Sequence, residues 1–247
     1  MTFQLVEPIL LIGLGGVGAR LAEKAKKSLN SDCLLISHDQ KDLTIENSIK
    51  ISTKSVVNPS THLIRGSTLE TSDEIKKNIA NYSTVILMSN LAGKAGTGIG
   101  PIVSRICKQE QKNLLSFVVM PFKFEKERIF QSGIALKRIR QDSQCTIVVD
   151  NDALLDSNPD LTQNQCYDIS NKAIESMMHS LKSSEISGDI NILSTGKATS
   201  DIEVSLKDSL RMLYEDAPPN SIKRSMLYVY GADNIPVGVL NTISNIT

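Results

Sequence analysis

The sequence predicts an α/β fold: a Rossmann-like parallel sheet flanked by helices, then a long central helix and a truncated second domain. Three features carry that prediction. Short unbroken apolar runs alternate with stretches of helical spacing; two glycine-rich segments each follow such a run and open a helix; and the alternation thins out after about residue 185. Continuous apolar runs suit strands covered on both faces, whereas an antiparallel sheet with one wet face would alternate apolar and polar residues. Strand, helix, strand in succession then gives right-handed crossovers.

The runs Ile9-Leu10-Leu11-Ile12, Cys33-Leu34-Leu35-Ile36, Thr84-Val85-Ile86-Leu87-Met88, residues 114–120 and Thr146-Ile147-Val148-Val149 are the expected strands. Helices are expected between them at about 17–29, 72–80, 99–112 and 127–141. A longer one is expected at about 166–184, where Ile169, Ala173, Ile174, Met177, Met178 and Leu181 recur at helical spacing, the methionines reading as core filler. Residues 183–189 read as a linker and 194–200 as a polar, flexible segment. A helix at about 201–214, a strand at 226–230 and a last helix at about 236–246 complete the chain, with Pro218-Pro219-Asn220 separating the first two. That tail is too small for a core of its own. The division is therefore 1–165 for the sheet domain, 166–184 for the central helix and 185–247 for a reduced C-terminal domain.

Composition excludes several functions. With 27 basic and 27 acidic side chains in 247 residues the formal net charge is zero, so a broad electrostatic footprint for nucleic acid or anionic lipid is absent. Aromatics make up 4% and Trp is missing, which leaves little to stack single-stranded bases on. Cys33, Cys107, Cys145 and Cys166 are scattered, with no CxxC and no pairing with histidine, which points to a reduced chain without a structural metal. The longest early apolar run, 8–14, is far too short to span a bilayer. These features predict a cytoplasmic protein with neither nucleic-acid partner nor membrane insertion.

Gly13-Leu14-Gly15-Gly16-Val17-Gly18 follows the first strand and opens the first helix. Glycines let backbone N–H groups approach a phosphate, and a helix amino terminus supplies partial positive charge. Read literally this is the dinucleotide fingerprint GxGxxG, with Asp39 about 20 residues on at the end of the second strand. An NAD-dependent oxidoreductase is one reading of it, and a tight turn without ligand is another. The loop alone separates neither from a mononucleotide site.

A second such segment, Asn90-Leu91-Ala92-Gly93-Lys94-Ala95-Gly96-Thr97-Gly98-Ile99-Gly100-Pro101, follows the third main strand. The dinucleotide fold does not require it. Here the sequence resembles the tubulin/FtsZ superfamily, whose loop reads GGGTGTG or GGGTGSG; the matching stretch is Lys94 to Gly100, with the first two glycines replaced. Val118-Val119-Met120-Pro121-Phe122-Lys123-Phe124-Glu125 resembles V-T-K-P-F-x-F-E of FtsZ, with Arg128 near that family's ribose-side Arg. Ile147-Val148-Val149-Asp150-Asn151-Asp152-Ala153-Leu154-Leu155 is similar to I-T-I-P-N-D-x-L-L. Found together in the family's order, these motifs cover roughly residues 8 to 240.

The resemblance implies the tubulin/FtsZ nucleotide-binding domain and a site for GTP or GDP, with Mg2+ accompanying the phosphates. Phosphate contacts would come from Gly15, Gly16, Val17, Gly18 and Arg20 of the first loop and from Lys94, Ala95, Gly96, Thr97 and Gly98 of the second. Asp39 matches the acid that would hold a magnesium water, while Pro121, Glu125 and Arg128 fall on the ribose side. Asn151 would contact guanine, Tyr167 would stack on the base, and Asn171, one turn further along the same helix face, would hydrogen-bond it.

The chain also departs from the family. Lys54-Ser55-Val56-Val57-Asn58-Pro59 keeps the Asn-Pro that ends the family's phosphate-sensing loop but has lost its glycines. The catalytic N-x-D-x-x-D aligns with residues 188–196, so Asn191 stays while Leu193 and Gly196 occupy the acidic places. Neither can polarise a water. The resemblance therefore implies a guanine-nucleotide-binding protein of cell division or the cytoskeleton, associating head to tail, with weak or no GTP hydrolysis of its own and no confident catalytic residue. Its implied partners are the nucleotide, further copies of the chain in a homo-oligomer or filament, and an FtsZ-like or membrane-tethering protein. A nucleotide-independent scaffold or regulator that kept the fold, and the oxidoreductase, remain the alternatives.

Overall fold

A computed structural model describes residues 2–54, 57–181, 185–196, 201–223 and 226–227. In chain order the strands are β1 (Thr2–Phe3), β2 (Ile9–Leu14), β3 (Asp32–Ser37), β4 (Ser48–Lys50), β5 (Thr84–Asn90), β6 (Asn113–Met120), β7 (Cys145–Asp150), β8 (Ile186–Ser187) and β9 (Asp189–Ile192). The helices are α1 (Gly15–Leu29), α2 (Thr61–Glu70), α3 (Ser72–Ile79), α4 (Lys94–Gln109), α5 (Lys126–Asp142), α6 (Asn151–Ser157), α7 (Gln163–Ser180) and α8 (Ile202–Asp216). Seven strands form one parallel sheet in the order β4-β3-β2-β5-β6-β7-β9, and β1 pairs antiparallel with β8.

The unbroken apolar runs are explained by what covers the sheet. Alternate residues of a strand point to opposite faces. Leu11, Leu35, Ile86, Met88, Phe117 and Val149 face α1 and α7, meeting Ala22, Ala25, Ile174, Met177 and Met178. Leu10, Ile12, Leu34, Ile36, Val85 and Leu87 face the other way, onto Ile64 of α2, Ile75 and Ile79 of α3, and Ile99, Val103 and Ile106 of α4. The methionines of α7 are core residues, as their spacing predicts. All four cysteines are buried and free, and burial pushes the Cys33 thiol up to about 11 and those of Cys107 and Cys145 to about 12, so they stay protonated near neutrality.

Several elements differ from the sequence expectation. Helix α2 and strand β4 were not predicted: α2 buries only Ile64 and Thr68, too narrow a stripe to register as periodic, and β4 is three residues long. Helix α4 starts at Lys94 rather than near 99, which puts three glycines inside a helix. They permit close packing instead of breaking it: a Cβ on Gly96 would lie 2.1 Å from the Asn90 carbonyl oxygen. Residues 189–192, expected to straddle a linker and a degenerate catalytic loop, form the edge strand β9 beside β7. The expected strand at 226–230 runs past the described residues, and the helix at 236–246 lies outside them. Among the described residues no helix is long and apolar enough to cross a membrane.

Helix α8 rests on the sheet domain through Met212, which joins Phe122, Ala153, Leu154 and Cys166 in one cluster. Where α8 ends, burial and then the neighbouring Asp150 carboxylate push Asp216 up to about 7, with Asp152 adding repulsion and Lys123 opposing it. In the unfolded chain Asp216 loses its proton near pH 4. Between those values the native state binds the extra proton, so its contribution to stability falls as pH rises from about 4 to about 7. Urea melts should show that slope in the parent chain and a flatter profile in Asp216→Asn.

Candidate functional site

The strand order places a crevice. From β2 the chain moves outward through β3 to β4, then returns to the far side of β2 as β5. The loops leaving the carboxyl ends of β2 and β5 therefore diverge, and such a switch point is where open α/β sheets bind ligands. Leu14 passes directly into α1 at Gly15, whose φ of +64° suits glycine. Beyond β5, Asn90 Oδ1 accepts from the Ala92 N–H at 2.8 Å, shaping the turn that delivers Gly93 as the start of α4. Neither helix has a side-chain cap at its amino end. The two starts abut, since a Cβ on Gly15 would lie 2.8 Å from Ala95 Cβ.

Beside this junction lies a cavity of about 680 Å³, a size suited to a small ligand. Val17, Arg20, Leu21 and Lys24 of α1 form one wall; Asn90, Ala92, Gly93 and Arg128 form the floor; and Asn164, Tyr167, Asp168, Asn171 and Glu175 of α7 form the other wall. Lys24 and Glu175 meet across it at 2.6 Å, joining α1 to α7. Tyr167 is braced from behind, edge-on to Phe122 at 5.4 Å, and Phe122 stacks on Phe124 at 5.1 Å. Burial raises the Tyr167 phenol above its ordinary pKa, which keeps it a neutral donor. Arg128 donates to Glu125 Oε1 at 2.6 Å, while the other Glu125 oxygen accepts from the Phe122 N–H at 3.2 Å. A second depression, about 400 Å³, sits at the opposite, amino end of β5 and β6, away from both glycine loops.

Of the residues singled out from the sequence, Val17, Arg20, Arg128, Tyr167 and Asn171 share the cavity wall. Gly15, Gly16, Gly18 and Ala95 belong to the junction, although Gly18 is there for packing: a Cβ on it would lie 2.3 Å from the Met88 carbonyl oxygen. Glu125 steadies Arg128, and Pro121 is buried at the end of β6. Asn151 is fully buried behind the wall, its Oδ1 accepting from Ser170 Oγ at 2.6 Å and its Nδ2 without a partner.

Other candidates go elsewhere. Asp39 caps its own short turn by accepting from the Lys41 N–H at 3.0 Å, and the acid beside the first loop is Asp42, whose Oδ1 is 2.7 Å from where a Gly16 Cβ would sit. Lys94 points to Asn58 and Pro59. The Cβ position of Gly98 faces Ile64 of α2 at 2.9 Å, not the crevice, and Thr97 Oγ1 bonds back to the Gly93 carbonyl. Asn191 donates to Ser187 O and Cys145 Sγ within the sheet, Leu193 packs on the core, and a Cβ on Gly196 would meet the Ser205 carbonyl oxygen at 2.5 Å. Asp189 pairs with Arg140 at 3.0 Å, which lowers its pKa, and Asp201 caps α8. Sequence reading missed Lys24, Asn164, Asp168 and Glu175, though each lies three or four residues from a chosen neighbour on the same helix face.

The model of the tubulin/FtsZ family GTPase domain matches residues 8–159, more than half of the chain. The chain belongs to this family. Among relatives, FtsZ 2 of Halobacterium salinarum, a cell division protein, is 26% identical over 180 residues, covering 67% of this chain and 44% of that protein. FtsZ of Haloferax mediterranei is 33% identical over 115 residues, 46% of this chain and 30% of its own length. This member thus spans less than half of those two relatives' length. Among solved structures, an FtsZ point mutant of M. jannaschii has a TM-score of 0.69 at 19% identity, covering 83% of this chain and 70% of that one. CetZ of Methanosaeta thermophila gives 0.59 at 16% identity, covering 83% and 67%. These structures share the fold of a tubulin/FtsZ domain.

The placement of Gly98 sets a prediction for this FtsZ-like chain. Gly98→Val overpacks the α2–α4 contact and should cost about 1–3 kcal/mol in a denaturant melt without nucleotide. An unchanged melt would show that α2 does not seat on Gly98.

Proposed function

We propose that the crevice binds a guanine nucleotide, in an FtsZ-like protein of cell division or the cytoskeleton. The observation that carries this reading is the abutment of two uncapped helix starts, α1 and α4, at the edge of a cavity whose walls hold Arg20, Arg128, Tyr167 and Asn171. Free N–H groups and the positive ends of two helix dipoles favour phosphate oxygens. Arg20 and Arg128 add charge-assisted donors. Tyr167, fixed by Phe122, offers its ring to the base, and Asn171 one turn on carries both a donor and an acceptor for a purine edge. Asp42 rather than Asp39 is the carboxylate that would accept from a magnesium-bound water, and the ion would supply charge neutralisation for the phosphates.

In this reading Leu193 and Gly196 leave the family's acidic places empty of carboxylate, so the chain turns GTP over slowly. Positioned acids and bases contribute about 10²–10⁴-fold to such steps. Head-to-tail association and a partner that is FtsZ-like or membrane-tethering follow from the same reading. The oxidoreductase alternative rests on the first glycine loop and Asp39 alone.

Titration calorimetry with Mg2+ should show GTP and GDP binding at one site and ATP binding more weakly, because a mismatched edge leaves polar groups unpaired. Asn171→Ala and Tyr167→Ala should each weaken GTP by about tenfold. No heat with either guanine nucleotide would remove the reading, and equal affinity for GTP and ATP would remove the assignment of Asn171. Phosphate release from GTP should stay near background at every protein concentration, whereas robust, concentration-dependent release would show that another acid serves.

A further inference from the structure

Ahead of α2 the chain turns at Asn58, whose φ is +52°. Pro59 and the helix cap Ser60 follow, and Ser60 Oγ accepts from the Leu63 N–H at 3.4 Å. This turn is tied to α4 from outside: Lys94 Nζ donates to Asn58 Oδ1 at 2.5 Å and to the Pro59 carbonyl at 2.9 Å. Lys94 is the first residue of α4, where a positive charge opposes the helix dipole. Two acceptors across the gap offset that placement and draw the ammonium away from the cavity, whose wall does not include it.

Two further contacts run parallel to this one. Pro101 has no N–H to give to the carbonyl of Thr97 one turn back, and Arg65 Nη2 of α2 donates to that carbonyl at 3.3 Å instead. Ile64, next to Arg65, seats on Gly98. The amino end of α2 is therefore tied to α4 at three successive levels, with Lys94 at the crevice end.

We propose that Lys94 is a positioning residue that staples the Asn58–Pro59 turn and the start of α2 to the start of α4, holding this turn in place whether or not a ligand is bound. Its consequence for nucleotide rests on the reading given above. A turn already held by the chain's own ammonium does not respond to a third phosphate, so GTP and GDP leave it alike.

Hydrogen–deuterium exchange on the full chain tests both levels. Without nucleotide, Lys94→Ala should speed exchange of amides in 57–64 about tenfold while β2, β5 and β6 keep their protection, and Lys94→Arg should restore the slow rate. Asn58→Ala removes one acceptor from the other side; it should speed the same amides and add little in combination with Lys94→Ala. Unchanged exchange in both single variants, without nucleotide, would overturn the staple. With nucleotide, the parent should show equal protection of 57–64 in GDP and GTP, and a GTP-specific gain there would overturn ligand independence. Should neither nucleotide alter exchange anywhere in the parent, including 15–20 and 90–97, the nucleotide reading fails, and the nucleotide-free comparison still decides the staple.

Discussion

The close approach of α1 and α4 to the central strands is the constraint on which the rest of the structure depends. Both helices begin within a residue or a short turn of β2 and β5, the parallel strands between which the order of strand addition switches sides. Such short connections leave no room for side chains at the contact. A Cβ on Gly13 would lie 2.6 Å from the Gly18 carbonyl, one on Gly18 would strike Met88, and one on Gly96 would strike Asn90. With those positions occupied by glycine, two helix starts meet side by side without caps. The pairing of two uncapped helix starts therefore follows from packing.

The same constraint explains why the loops tolerate departures from the family's pattern. Ala95 fits because its methyl group fills the space beside Gly15, and Val17 stands on α1, where its side chain lines the cavity. Lys94 replaces a glycine and finds acceptors on the neighbouring turn. The junction is kept while its outer face is rebuilt. The segment aligned with the catalytic loop is a different matter: it is absorbed into the sheet edge and the core, with Asn191 bonded to Cys145 of β7 and Ser187 of β8, and Gly196 pressed on α8.

The main strands were legible in the sequence because burial on both faces leaves short unbroken apolar runs. The capping box of Thr162 and Gln165 shows why α7 begins slightly before its apolar stripe. Helix α2 was not legible, since Ile64 and Thr68 are its only buried residues and its register is set by Gly98 and Arg65 from tertiary contact. Around the cavity, motif order marked both glycine loops, Arg128 and the Tyr167–Asn171 face, and the fold brings them together there. Asp42, not Asp39, lies beside the first loop, because which of two acids three residues apart comes close depends on a short turn that no apolar pattern marks. At Gly98 the sequence shows the family's glycine but not that its Cβ position packs on Ile64 of α2.

The central claim is that the cavity between α1 and α7 is a nucleotide site fed by the two helix starts. Crystals of the full chain grown with GDP and Mg2+ test it most directly. Diphosphate density should appear within hydrogen-bonding distance of backbone N–H groups at 15–18 and 94–96, with the base against Tyr167. An empty cavity at saturating GDP, or nucleotide bound away from both loops, would contradict it.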